Sequence, residues 1–74
     1  MLDQDLADTL KAMYFGSKEG EVATMVHLFG IKYASEIASS ELSASQIAKL
    51  AKIPDSYGTE INKGRNLAKY VRIK

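Results

Sequence analysis

Residues 43–61, Ser-Ala-Ser-Gln-Ile-Ala-Lys-Leu-Ala-Lys-Ile-Pro-Asp-Ser-Tyr-Gly-Thr-Glu-Ile, constrain the fold of this chain more than any other stretch. Ser43 is followed three residues later by Gln46, the spacing of a capping box, in which each side chain satisfies the other residue's backbone N–H. Ile47, Leu50 and Ala51 then recur at helical spacing and give a short helix, about 44–52, its inner face. Ile53-Pro54 ends that helix, because proline disfavours a helical conformation in the residue before it. Asp55 or Ser56 caps a further helix, whose inner face uses Tyr57 and Ile61. The spacing predicts two short helices joined by a tight break, the second turned back onto the first.

Upstream, Leu2, Leu6, Leu10 and Met13 form one stripe of an amphipathic helix at about 3–15. Asp3 and Asp5 lie at its N-terminal end, where the helix dipole favours negative charge, and Gly16-Ser17 ends it. Val22, Met25/Val26, Phe29, Tyr33 and Ile37 form a longer stripe, read as one helix over about 20–39. Its aromatic residues make it the expected spine of the core. Gly30 sits inside it at ~1 kcal/mol less helix propensity than alanine, marking either a kink or a close crossing with another helix. A break at Gly30 is therefore the alternative to one rod. Residues 39–43 are a linker. Gly64 interrupts the last helix; beyond it Leu67, Tyr70 and Val71 fit another turn or two, while residues 71–74 equally fit a short strand. The expectation is a single all-α domain over residues 1–74, a small bundle of four to five helices.

The 74 residues include no cysteine, which excludes disulfides and thiolate metal sites, and a hydrophobic content of 46% argues against disorder. No apolar run approaches the ~20 residues that span a bilayer, and Met1-Leu-Asp-Gln-Asp lacks the positive start of a signal peptide. A soluble, cytoplasmic protein is expected. Net charge is only +1, but it is unevenly placed. Residues 1–40 hold three lysines against six acids, net −3; residues 41–74 hold seven cations against three acids, net +4. The basic half contains the paired short helices, and a basic surface of this kind suits phosphate. A solvated helical face is the plain alternative.

At Ile47-Ala48, Ala51 and Ile53 the chain resembles the helix-turn-helix superfamily of DNA-binding proteins. Members show an apolar residue followed by alanine, a second small residue three positions on, then glycine and an apolar residue at the turn. Ala48 and Ala51 are small, as two closely crossing helices require. Ile61 stands where the later apolar contact of the second helix belongs. Two positions depart. Lys52 replaces the turn glycine, where a left-handed conformation disfavours a side chain, and Gly58 replaces the earlier apolar contact, which weakens the expected packing.

The resemblance, over about residues 43–63, implies a DNA-binding domain, a small transcriptional regulator that forms dimers; the acidic first helix, remote from the basic end, is the expected dimer surface. Asp55, Ser56, Thr59, Glu60 and Lys63 would face outward from the second helix. Ser56 and Thr59 would meet base edges or phosphates, and Glu60 would accept from a cytosine amino group. Lys63, Arg65 and Lys69 would clamp the backbone, and Lys49 and Lys52 would touch flanking phosphates. Tyr57 and Tyr70 flank the basic segment and offer base stacking as an alternative to a place in the core.

His27 is the sole histidine and has no second imidazole or thiolate nearby in sequence, so a boundary or core position is expected rather than a metal site. Gly58 to Gly64 lacks the phosphate-loop pattern, and no spacing suggests a nucleophile, base and acid set. No enzyme, cofactor, metal, membrane or small-molecule substrate is inferred. The alternative function is a protein-interaction module that binds a partner helix and no nucleic acid.

Overall fold

In the computed structural model, which describes residues 2–71, the chain forms five α-helices and one short 3-10 turn, with no strand among the described residues. α1 spans Asp3–Phe15, α2 Val22–Lys32, α3 Ala34–Ser39, α4 Ala44–Leu50 and α5 Gly58–Leu67, with the 3-10 turn at Asp55–Tyr57 just before α5. The core gathers Leu6, Ala7 and Leu10 of α1, Val26 and Phe29 of α2, Ile37 of α3, and Ile47 and Ala48 of α4, with Ile61 of α5 among them. α1 lies where its apolar stripe placed it. The exception is Leu2, which caps the helix from an extended conformation and leaves its side chain 73% exposed.

The long stripe does not form one rod. It divides at Tyr33 (φ −110°, ψ 24°) and not at Gly30. The bend turns α3 so that Ile37 enters the core and Ser40 Oγ donates to Asp3 Oδ1 at 2.6 Å, tying the end of α3 to the start of α1. Gly30 is instead the other expected feature, a close crossing. α5 packs more extensively on α2 than on any other element, and the two backbones meet at Gly30 and Gly64. A Cβ on Gly64 would lie 3.0 Å from Gly30 Cα and 3.1 Å from the Ile31 nitrogen, and closer still to the His27 carbonyl oxygen. Gly64 therefore does not interrupt α5. It lets the helix run through a contact that no side chain would permit. The short strand proposed for residues 71–74 falls mostly on residues outside the described ones.

Candidate nucleic-acid interface

The paired helices start as their sequence dictates. Ser43 Oγ accepts from the Gln46 N–H at 3.2 Å, while Gln46 Oε1 accepts from the Ser43 N–H at 2.7 Å, closing the capping box on α4. The other end is set by Lys52 rather than by Pro54. Lys52 adopts φ 62°, the left-handed conformation, and is the one non-glycine residue with positive φ among the described residues. Around it, the Lys52 N–H donates to Lys49 at 3.0 Å and the Ile53 N–H to Ala48 at 3.1 Å. This pair of bonds is a Schellman closure, and buried Ile53 supplies its apolar contact. The glycine position of the helix-turn-helix turn thus keeps its backbone shape although a lysine occupies it.

Gly58 is likewise a different feature from the one its propensity suggests. A Cβ there would lie 2.8 Å from both Ser45 Cα and the Ser45 nitrogen. α5 begins in contact with the α4 backbone, so the missing side chain tightens the crossing instead of weakening it. Ala48, Ala51 and Ile61 are fully or almost fully buried beneath it. Leu50, assigned to the inner face of α4, is 39% exposed, because the buried face is centred on Ala44, Ile47, Ala48 and Ala51 and Leu50 lies at its edge.

Glu60 does not face outward. It bridges back to α2, where His27 Nε2–H donates to its Oε2, and it also meets Lys63 Nζ at 3.5 Å. The His27 hydrogen bond, opposed by partial burial and helped by the Lys63 charge, holds the Glu60 carboxyl below the usual carboxylate range. Asp55 is paired as well, 3.7 Å from Lys49 Nζ, with both groups exposed. The two acids of this region therefore each have a cationic or hydrogen-bonding partner. Tyr57 is half-buried, edge-on to Tyr14 with centroids 5.4 Å apart, and so is not a free stacking surface, whereas Tyr70 is 84% exposed. Burial, with the Tyr14 hydroxyl beside it, pushes the Tyr57 phenol up.

What remains uncovered on α5 is a polar stripe of Thr59, Asn62, Lys63 and Asn66, at the i, i+3, i+4, i+7 spacing of a single helix face, bordered beyond Lys63 by Leu67, which is 45% exposed. Thr59 and Lys63 are where the sequence reading put them. Asn62 and Asn66, which were not among the residues expected to face outward, share this face with them; their helical spacing from Thr59 was the available signal. The cations divide between two sides. Lys63 lies at one edge of the stripe. Beyond the other edge, Arg65 and Lys69 join Lys32 in a shallow groove floored by Ile31, Ala34 and Val71. Arg65 Nη1 also donates to Asn62 Oδ1 at 3.4 Å. Ser56 and Lys52 are exposed on the turn, and Lys49 is exposed beside Asp55.

Short α4, a left-handed turn residue, and an α5 crossing α4 at a bare glycine define a helix-turn-helix type of domain. Residues 2–74 match the family model described as HTH-like domain, and the chain belongs to that family. No curated protein and no solved structure matches it. No helix among the described residues is long and apolar enough to cross a membrane.

Proposed function

We propose that this domain binds double-stranded DNA by laying α5 in the major groove, and that it acts without catalysis as a small cytoplasmic transcriptional regulator. The observation that carries the reading is the uncovered face of α5, polar along its centre, with Arg65 and Lys69 beyond one edge and Lys63, bordered by exposed Leu67, at the other. The major groove admits an α-helix, and each of its walls is a phosphate strand. In this reading Lys63 contacts one strand, and Arg65 with Lys69 the other, contacts that fix register without reading sequence. Ser56 and Thr59 stand at the N-terminal end of the helix, where N–H groups and dipole favour phosphate. Lys49 and Lys52 reach flanking phosphates. Glu60, turned toward His27, holds α5 in place and leaves base reading to its neighbours. One short helix gives limited affinity, so two copies joined through α1 on paired half-sites complete the proposal.

The test is titration of a labelled duplex at low and moderate salt, followed by NMR shifts. Affinity should fall linearly in log–log form with salt, shifts should concentrate in residues 44–69, and each of K63Q, R65Q and K69Q should reduce the slope by about 1. Absence of binding at low salt refutes the reading. The groove floored by Ile31, Ala34 and Val71 favours one rival, a surface for a partner helix. That rival expects little salt dependence and sensitivity to the apolar floor instead.

A further inference from the structure

Asn62 in the middle of α5 and Asn66 in its last turn, where it borders the groove of Arg65 and Lys69, give the fold little side-chain hydrogen bonding. Asparagine has lower helix propensity than alanine by up to ~0.7 kcal/mol, and its side chain competes with the helical backbone, so it favours caps and turns. Asn62 and Asn66 sit in the interior and last turn of a ten-residue helix, and both are exposed. Neither caps an end. Among the described residues Asn66 makes no side-chain hydrogen bond, and Asn62 makes a single long one, accepting from Arg65 at 3.4 Å. That bond uses one lone pair of the carboxamide oxygen and leaves the second, with both N–H donors, available.

We infer that Asn62 and Asn66 read two adenines about two base pairs apart in the major groove. The inference rests on α5 entering that groove, as proposed above. A carboxamide offers an acceptor and a donor side by side, and the adenine edge offers the complement, an N6–H donor beside the N7 acceptor. Guanine presents two acceptors to the groove, which suit a lysine or arginine instead. The separation follows from helix geometry. Four residues at 1.5 Å rise place the two carboxamides about 6 Å apart along α5, close to two base-pair steps of 3.4 Å. Thr59, one turn before Asn62 on the same face, brings a methyl and a hydroxyl to the neighbouring pair, where a thymine methyl is an apolar match. Lys63 stays at the edge, bound to Glu60, and sets register.

The experiment is selection from a pool of randomised duplexes by the intact protein, with sequencing of the bound fraction, for the unaltered chain and for N62A and N66A. The unaltered protein should enrich adenine at two positions two base pairs apart. Each substitution should erase the preference at one position, by about tenfold, and leave the salt dependence unchanged. Because both side chains are exposed, thermal unfolding of the variants should occur no lower than that of the parent, which excludes misfolding as the cause. Duplex binding without adenine enrichment, or enrichment that survives both substitutions, overturns the inference while leaving DNA binding intact. Failure to retain any duplex at low salt overturns both.

Discussion

The substitution Gly64→Ala sets two physical effects of opposite sign against each other. Taken as an isolated helix, α5 should gain about 1 kcal/mol, because alanine is the best helix former and glycine among the worst. Against this, the new Cβ would lie 3.0 Å from Gly30 Cα and 3.1 Å from the Ile31 nitrogen, with the His27 carbonyl oxygen nearer still. Carbon contacts are optimal at about 3.5–4.0 Å, and all three neighbours are backbone, so no rotamer change relieves the overlap. α2 and α5 must separate by roughly 0.5–1 Å along their most extensive interface, which loosens the packing of Phe29 and Ile61. Overpacking typically costs about 1–3 kcal/mol, and with three backbone neighbours the upper part of that range, about 2–3, applies before the helix gain is subtracted. The net expectation is a loss of about 1–2 kcal/mol. In a domain of this size that lowers Tm by roughly 4–16 °C, at 4–8 °C per kcal/mol. Circular dichroism during heating and urea titration measures it, with Asn66→Ala as the exposed control that should gain a few tenths of a kcal/mol. A G64A protein as stable as its parent, or more so, would refute the close crossing and return Gly64 to the helix interruption its propensity suggests.

Other outcomes follow from the same geometry. Lys52→Gly should stabilise the domain by about 0.5–1 kcal/mol in urea unfolding, since the left-handed conformation costs an L-residue about 1–2 kcal/mol and glycine returns about 0.5–1 as extra chain entropy. Ser43→Ala removes the capping box and should destabilise by about 1 kcal/mol, with the change in urea midpoint and not in m value. Glu60 has a folded pKa below its ordinary 4.5, so the unfolded chain takes up its proton first. Its contribution is complete above that value and disappears as pH falls through the lowered folded pKa. The stability of the parent should therefore drop more steeply with acid below about pH 4.5 than that of Glu60→Gln, measured by urea unfolding at a series of pH values. Parallel curves would remove the His27–Glu60 bridge from the account.

How much was legible depended on whether the deciding contact was local. The first helix and the capping box were read correctly because Leu6, Leu10 and Ser43/Gln46 act within a turn or two of themselves. The bend at Tyr33 has no proline or glycine to announce it; Ile37 and Ser40 are drawn toward α1 by contacts distant in sequence. Gly58 and Gly64 were read as weaknesses because propensity describes a helix in water, while their role is to meet Ser45 and Gly30 backbone. Gly30 was legible in part, since a close crossing was one of its two readings. The His27–Glu60 bond spans 33 positions and belongs to no motif, so Glu60 was placed outward when it faces α2. On α5, Thr59 and Lys63 are exposed, as their places in the sequence predicted. Asn62 and Asn66 needed the orientation of α5, which only its buried neighbours Gly58, Ile61 and Gly64 define.

That orientation is where stability and proposed function meet. α5 is ten residues long and has no side-chain cap at its start, so in isolation it would be marginal. Ile61, buried in the core, and three further contacts hold it instead: Gly58 on Ser45, Gly64 on Gly30, and Glu60 on His27. The first two forbid a Cβ and therefore fix both the distance and the rotation of the helix, since a turn of even one position would drive a side chain into backbone. The third lies on the same α2 interface and resists sliding along the axis. A recognition helix needs this restraint, because a side chain displaced by an ångström loses a bidentate contact. The glycines that weaken α5 as a helix are thus what make its outward face a single, rigid surface.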